Sequence, residues 1–192
     1  MKTRLFAAIT ASSMLLAAAA PAVAATKTAI FAGGCFWSAE KAMESVPGVT
    51  AVVSGYTGGA IRNPTYQNHR GHFEAVKVTY DPAKVSYAKL VDHFFHNIDP
   101  TDAGGQICDR GPAYRTAVFV ADPAERKTAE AVKAQVAKTL RKQVATEVRP
   151  TATFWMAEDY HQDFAKKSKV RYEAYRIGCG RDRALNAVWA GR

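Results

Sequence analysis

Apolar residues change their spacing along the chain in a fixed order. Residues 28–32, TAIFA, form a short apolar run closed by Gly33 and Gly34, the signature of a buried strand meeting a sharp turn. Residues 36–45 follow with helical spacing and stop at Pro47-Gly48. Residues 49–56 are rich in β-branched positions and read as a second strand. A stretch dense in Gly, Asn and Pro then runs from 57 to 71. HFEAVKVTY alternates: Glu74, Val76, Val78 and Tyr80 share one face, and Phe73, Ala75, Lys77 and Thr79 the other. This third strand ends at Asp81-Pro82. Tyr87, Leu90, Val91, Phe94 and Ile98 recur at helical spacing over 86–97. After a second loop, 99–113, YRTAVFVA reads as a strand. Asp122-Pro123-Ala124-Glu125 opens a long helix with a cap, a first-turn proline and a returning acid, and Val132, Val136 and Leu140 form its apolar stripe. VATEVRP is a last expected strand, and a helix is expected near 157–168. From Lys169 onward the pattern predicts an irregular tail with at most a turn at 182–189.

The order strand, helix, strand, strand, helix, strand predicts an α+β fold. It is a two-layer sandwich with a split βαβ, ferredoxin-like core sheet and an irregular C-terminal tail. No internal repeat or linker divides residues 26–192, so a single domain is expected. Two loops of 15 residues each, 57–71 and 99–113, are long for so compact a chain, and such loops commonly carry function.

The first 25 residues stand apart. A basic start (Lys2, Arg4), an Ala-rich apolar middle and a small-residue end at Ala24 or Ala25 fit a cleaved signal peptide better than a membrane anchor. The expectation is a periplasmic or secreted protein with no stable membrane association once the leader is removed. Loss of Lys2 and Arg4 lowers the formal net charge from +9 to +7 (9 − 2). No nucleic-acid motif accompanies that charge, so it reads as a solvated basic surface. A monomer is expected.

Three cysteines, Cys35, Cys108 and Cys179, are an odd number for an exported chain, so at least one thiol is free or exchanging. Cys35 follows two glycines and precedes a helix, where unpaired N–H groups and the helix dipole favour a thiolate. A buried structural cysteine is the plainer alternative. Phe36 and Trp37 suit ordinary core positions, and they also suit the walls of a methyl-sized apolar notch. Glu74 lies on the apolar face of its strand at a loop's end, where burial would let it keep a proton near neutral pH. A solvated strand end is the alternative. His69, His72, His93 and His96 include two His-x-x-His pairs, but no full metal-ligand set is evident.

GGCFWSAE, SGYTGG, NPTY, GHFEAV, VTYDP, CDRGPAYRTA and AEDYHQDF occur in this order, and together they resemble the A-type peptide methionine sulfoxide reductases. The resemblance covers most of residues 28–168 and continues into the tail. It implies reduction of methionine S-sulfoxide, free or in proteins, with no cofactor and with a thioredoxin-like dithiol donor. It also implies the roles. Cys35 is the nucleophile and passes through a sulfenic acid. Glu74 gives a proton to the sulfoxide oxygen. Tyr66 and Tyr114 hydrogen-bond that oxygen. Phe36 and Trp37 hold the methyl group, and Asp109 contacts the substrate backbone. Cys179, in the glycine-flanked RIGCGRD of the 169–192 tail, is taken as the mobile resolving cysteine that forms Cys35–Cys179. Cys108, in the second long loop beside Asp109, is the rival for that resolving role and its own role is left open, and a single resolving step without a relay is expected. Ser38 stands where glycine is frequent in the family, a change the first helical turn tolerates.

Two other readings compete. A general thiol–disulfide oxidoreductase is weakened by the absence of Cys-x-x-Cys. A secreted peptide-binding domain, with Cys35–Cys179 as a static staple, leaves Glu74 without an explanation.

Overall fold

The computed structural model describes residues 25–190, so the expected leader lies outside the described residues apart from its last position. A six-stranded sheet forms the centre. Its strands are β1 (Lys27–Gly33), β2 (Val49–Thr57), β3 (Phe73–Tyr80), β6 (Thr116–Val120), β7 (Glu147–Pro150) and β8 (Trp155–Met156), in the order β7-β6-β1-β3-β2-β8. All neighbours pair antiparallel except β6 and β7, which are parallel. β4 (Gly105–Gln106) and β5 (Asp109–Arg110) make a small separate hairpin inside the second long loop.

The alternation expected for β3 is present. Val76, Val78 and Tyr80 join the larger core, formed with α1 (Phe36–Glu44), α2 (Tyr87–His96) and α3 (Pro123–Leu140). Phe73 and Ala75 point the other way into a thinner cluster with Ala32, Ala117 and Phe119. Phe31 of β1 is fully buried and stacks on Phe94 of α2 with ring centres 5.0 Å apart. This contact fixes α2 over the middle of the sheet.

Local rules set the helix starts. Ser86 accepts from the Lys89 N–H, and Asp122 accepts from the Glu125 N–H at 2.8 Å. The Glu125 carboxylate returns a bond to the Ala121 N–H, one residue upstream of the cap. Of the two glycines before α1, Gly34 is the conformationally demanding one. Its φ is +80°, and a Cβ there would sit 2.5 Å from the Gln106 side chain. Gln106 in turn bonds the Asp99 backbone through both amide atoms, so the second long loop packs directly on the turn that carries Cys35.

The C-terminal region departs from expectation. In place of one helix near 157–168, the chain forms a 3-10 turn (Asp159–His161) and a short α4 (Phe164–Lys167). In place of an irregular tail it forms α5 (Lys169–Gly178) and α6 (Arg181–Trp189). Their aliphatic residues mislead: Val170 and Ile177 face solvent, while Tyr172 and Arg181 are buried. Aromatic and hydrogen-bonding contacts hold these helices. Trp189 stacks on His96 and donates to the Ile98 carbonyl, and Arg181 donates to the Asn97 carbonyl. No helix among the described residues is long and apolar enough to cross a membrane.

On α1, Glu40 is buried with both carboxylate oxygens lacking a hydrogen-bond partner. Burial, with the acids Glu44 and Asp163 nearby, raises its pKa from 4.5 to about 7. A raised folded-state value means that the charged form opposes folding. The cost is absent below pH 4.5 and grows until about pH 7. Glu40→Gln should therefore gain stability relative to the parent as pH rises, by up to about 3 kcal/mol. Urea unfolding at pH 5 and pH 8.5 checks it, and a difference that does not change with pH rules out this account.

Candidate active site

Cys35 is the N-cap of α1, and the Ser38 and Ala39 N–H groups close onto its carbonyl. The first N–H groups of the helix are left for other partners. The Phe36 N–H donates to Glu74 Oε2 at 3.0 Å, and the nearby Trp37 N–H favours the anionic form of the Cys35 sulfur. Glu74 reaches this point because β3 lies beside β1, whose end leads into the glycine turn and α1. One helix end thus holds the thiol and the carboxyl group together.

Both groups open into one cavity of about 200 Å³, lined by Cys35, Phe36, Trp37, Tyr66, Glu74, Asp109, Tyr114 and Tyr175. Every site residue expected from the sequence is here except Cys179. Trp37 is fixed by a stack on Phe164 at 3.7 Å and by donation of its indole N–H to His161 Nδ1 at 3.1 Å. Tyr66 sits in the first long loop. Glu158 anchors that loop, taking the Tyr66 N–H on one oxygen and the Tyr56 hydroxyl on the other. Tyr114 ends a 3-10 turn (Pro112–Tyr114). The next residue, Arg115, pins the turn by pairing with Glu147 at 2.8 Å and lying over the Phe73 ring.

The titration of the site differs in part from expectation. Glu74 is raised to about 8, chiefly by burial, with the Phe36 N–H opposing and Asp109 adding to the rise. It therefore holds its proton at neutral pH, as its strand position suggested. Cys35 goes the opposite way from the expected activated thiolate. Burial, then Glu74 and Asp109, push it up to about 12, and the Trp37 N–H and Tyr175 hydroxyl only partly oppose this. Two nearby acids and loss of water outweigh the helix end.

The expected Cys35–Cys179 bond is replaced by another. Cys179 is bonded to Cys108, with Cα atoms 5.4 Å apart, and Cys35 is a free, buried thiol. The cause lies one helical turn back. Tyr175 of α5 donates to Asp109 Oδ2 at 2.6 Å, and Cys179 and Cys108 continue the same two segments. Tyr175, which the sequence analysis did not single out, is thus both a cavity wall and the clamp between tail and hairpin. The four histidines considered as metal ligands serve as local anchors: His72 accepts from the Gly59 N–H and meets the Ile61 carbonyl, while His69, His93 and His96 each meet a backbone carbonyl.

Comparison with known proteins agrees with this geometry. The family model "Peptide methionine sulfoxide reductase" matches residues 27–192. This chain belongs to that family. Peptide methionine sulfoxide reductase MsrA 2 of Caulobacter vibrioides is 52% identical over 195 residues, covering 98% of this chain and 99% of its own. Among solved structures, methionine sulfoxide reductase A of Corynebacterium diphtheriae is 32% identical with a TM-score of 0.67, over 75% of this chain and 76% of its own. The reduced form of Mxr1 from Saccharomyces cerevisiae is 27% identical with a TM-score of 0.71, over 75% and 86%.

With both groups protonated at neutral pH, sulfoxide reduction in this cavity would draw the proton for the leaving oxygen from Glu74, and the Cys35 proton would refill Glu74 as sulfur attacks. The rate of product formation in a single turnover should then be flat below about pH 8 and fall above it, as Glu74 ionises. Glu74→Gln should lower that rate about 100-fold or more and remove the break. A parent rate that keeps climbing through pH 8 would show that Cys35 must ionise first.

Proposed function

We propose that the protein reduces peptide-bound and free methionine S-sulfoxide to methionine, as a peptide-methionine (S)-S-oxide reductase. The observation that carries this reading is the shared end of α1, which sets a protonated carboxyl group and a thiol in one aromatic-walled notch. The S-methyl group fits against Phe36 and Trp37. The sulfoxide oxygen meets Glu74 and the neutral hydroxyls of Tyr66 and Tyr114, whose pKa values burial raises further. Asp109 also lines the cavity, where it can meet the backbone of a peptide substrate.

The chemistry balances within the site. The Cys35 sulfur attacks the sulfoxide sulfur as Glu74 protonates the oxygen; the hydroxyl then passes to Cys35 as the substrate S–O bond breaks, giving Cys35–SOH and the thioether, and the thiol proton refills Glu74. Thiols then remove the sulfenic acid as water, and a thioredoxin-like dithiol restores the enzyme. One chain supplies every wall of the cavity, so a monomer suffices. The leader pattern over residues 1–25 supports export to the periplasm. The order β6-β1-β3-β2 supports reading the central strands as a split βαβ unit, with β3 between β1 and β2.

A peptide carrying both sulfoxide epimers, incubated with the enzyme and excess dithiothreitol, should lose only the S form. Cys35→Ser should abolish turnover. Disulfide exchange without any methionine formation would instead favour the general oxidoreductase.

A further inference from the structure

We propose that a second cavity, beside the Cys35 notch, is a subsite for a carboxylate side chain next to the methionine sulfoxide of a peptide substrate. Arg171, Ser168 and His161 are its recognition groups. This rests on the reductase reading and specifies which oxidised sequences that site serves best.

The cavity holds about 330 Å³ and shares two walls, Trp37 and Tyr66, with the Cys35 notch. Neighbouring Cα atoms lie about 3.8 Å apart, so the residue beside a seated sulfoxide stays within reach of those shared walls. Phe164, stacked on Trp37, and Tyr160 supply further apolar surface for its methylene groups.

Three groups here point to an anionic occupant. Trp37 donates its indole N–H to His161 Nδ1, so the ring proton of neutral His161 lies on Nε2. Burial lowers the His161 pKa and keeps the ring neutral at neutral pH. His161 is 2% exposed, and among the described residues its Nε2–H has no acceptor, a costly state for a buried donor. Ser168 occupies the N-cap of α5, where a side-chain oxygen commonly takes a backbone N–H, and it makes no such bond. The positive end of the α5 dipole is thereby left open to an anion. Arg171, in the first turn of α5, lies over the Phe164 ring at 5.5 Å, and among the described residues it has no carboxylate partner.

No acid lines the cavity, and the acids of the adjoining segment are spent elsewhere. Glu158 takes the Tyr66 N–H and the Tyr56 hydroxyl, and Asp163 pairs with Lys166 and Lys167. Donors and positive charge without a counter-charge select a carboxylate over a cationic or amide side chain. An aromatic side chain would fill the walls but leave His161 Nε2 and Arg171 unpaired.

Matched peptides test this, with Glu, Gln or Lys directly before or directly after one methionine sulfoxide. A further set has Gln at that place and Glu several residues away. At low salt the Glu peptide should show about fivefold higher kcat/KM than the Gln peptide at one of the two positions, through KM rather than kcat. The Lys peptide should fall below Gln, and the displaced Glu should gain nothing. In Arg171→Gln the Glu-to-Gln ratio should drop to about one. Each ratio is taken within one protein, so it does not depend on how much of that protein is active. Equal kcat/KM for Glu and Gln at both positions, an equal gain from the displaced Glu, or a ratio that survives Arg171→Gln overturns the subsite and leaves the reductase reading standing. No methionine from any peptide overturns the reductase reading itself.

Discussion

The bond from the Phe36 N–H to the Glu74 carboxyl group organises this molecule. A helix start leaves backbone donors without internal partners, and burying them uncompensated is costly. Here one donor goes to a carboxyl group from a neighbouring strand, next to the thiol at the N-cap position. The same arrangement closes the helix end and sets acid and nucleophile side by side. It depends on Gly34, whose left-handed backbone lets the strand turn into the helix beneath the second long loop.

That bond also explains why the thiol is quiet at rest. A helix end alone would favour a thiolate. Glu74 takes one of its donors, and burial together with Glu74 and Asp109 then raises the Cys35 pKa to about 12. The site stores its protons where the reaction needs them and keeps the sulfur shielded between turnovers. A quiet, enclosed nucleophile is hard for oxidants to reach, and equally hard for a protein reductant. The exposed disulfide between hairpin and tail lies where such a partner has access.

The C-terminal helices therefore belong to the site. α5 contributes Tyr175 to the cavity wall, and α6 is pinned to the end of α2 through Trp189 and Arg181. Two ties join α5 to the hairpin, the covalent Cys108–Cys179 bond and the Tyr175–Asp109 hydrogen bond one turn away.

Much of this was present in the residues themselves. The alternation of β3 placed Glu74 with the core-facing residues, the helical stripes located α1, α2 and α3, and the Gly-Gly-Cys turn marked the nucleophile. These are local signals, set by side-chain period, capping chemistry and backbone freedom. Three features needed the tertiary structure. The direction of the Cys35 shift depends first on burial and then on acids that arrive from β3 and from the second loop. The helical tail is hard to read from hydrophobic period because Val170 and Ile177 face solvent while Tyr172 and Arg181 turn inward. The partner of Cys179 was decided by the Tyr175–Asp109 contact between segments 66 residues apart, and nothing in cysteine spacing encodes which two sulfurs such a contact brings together.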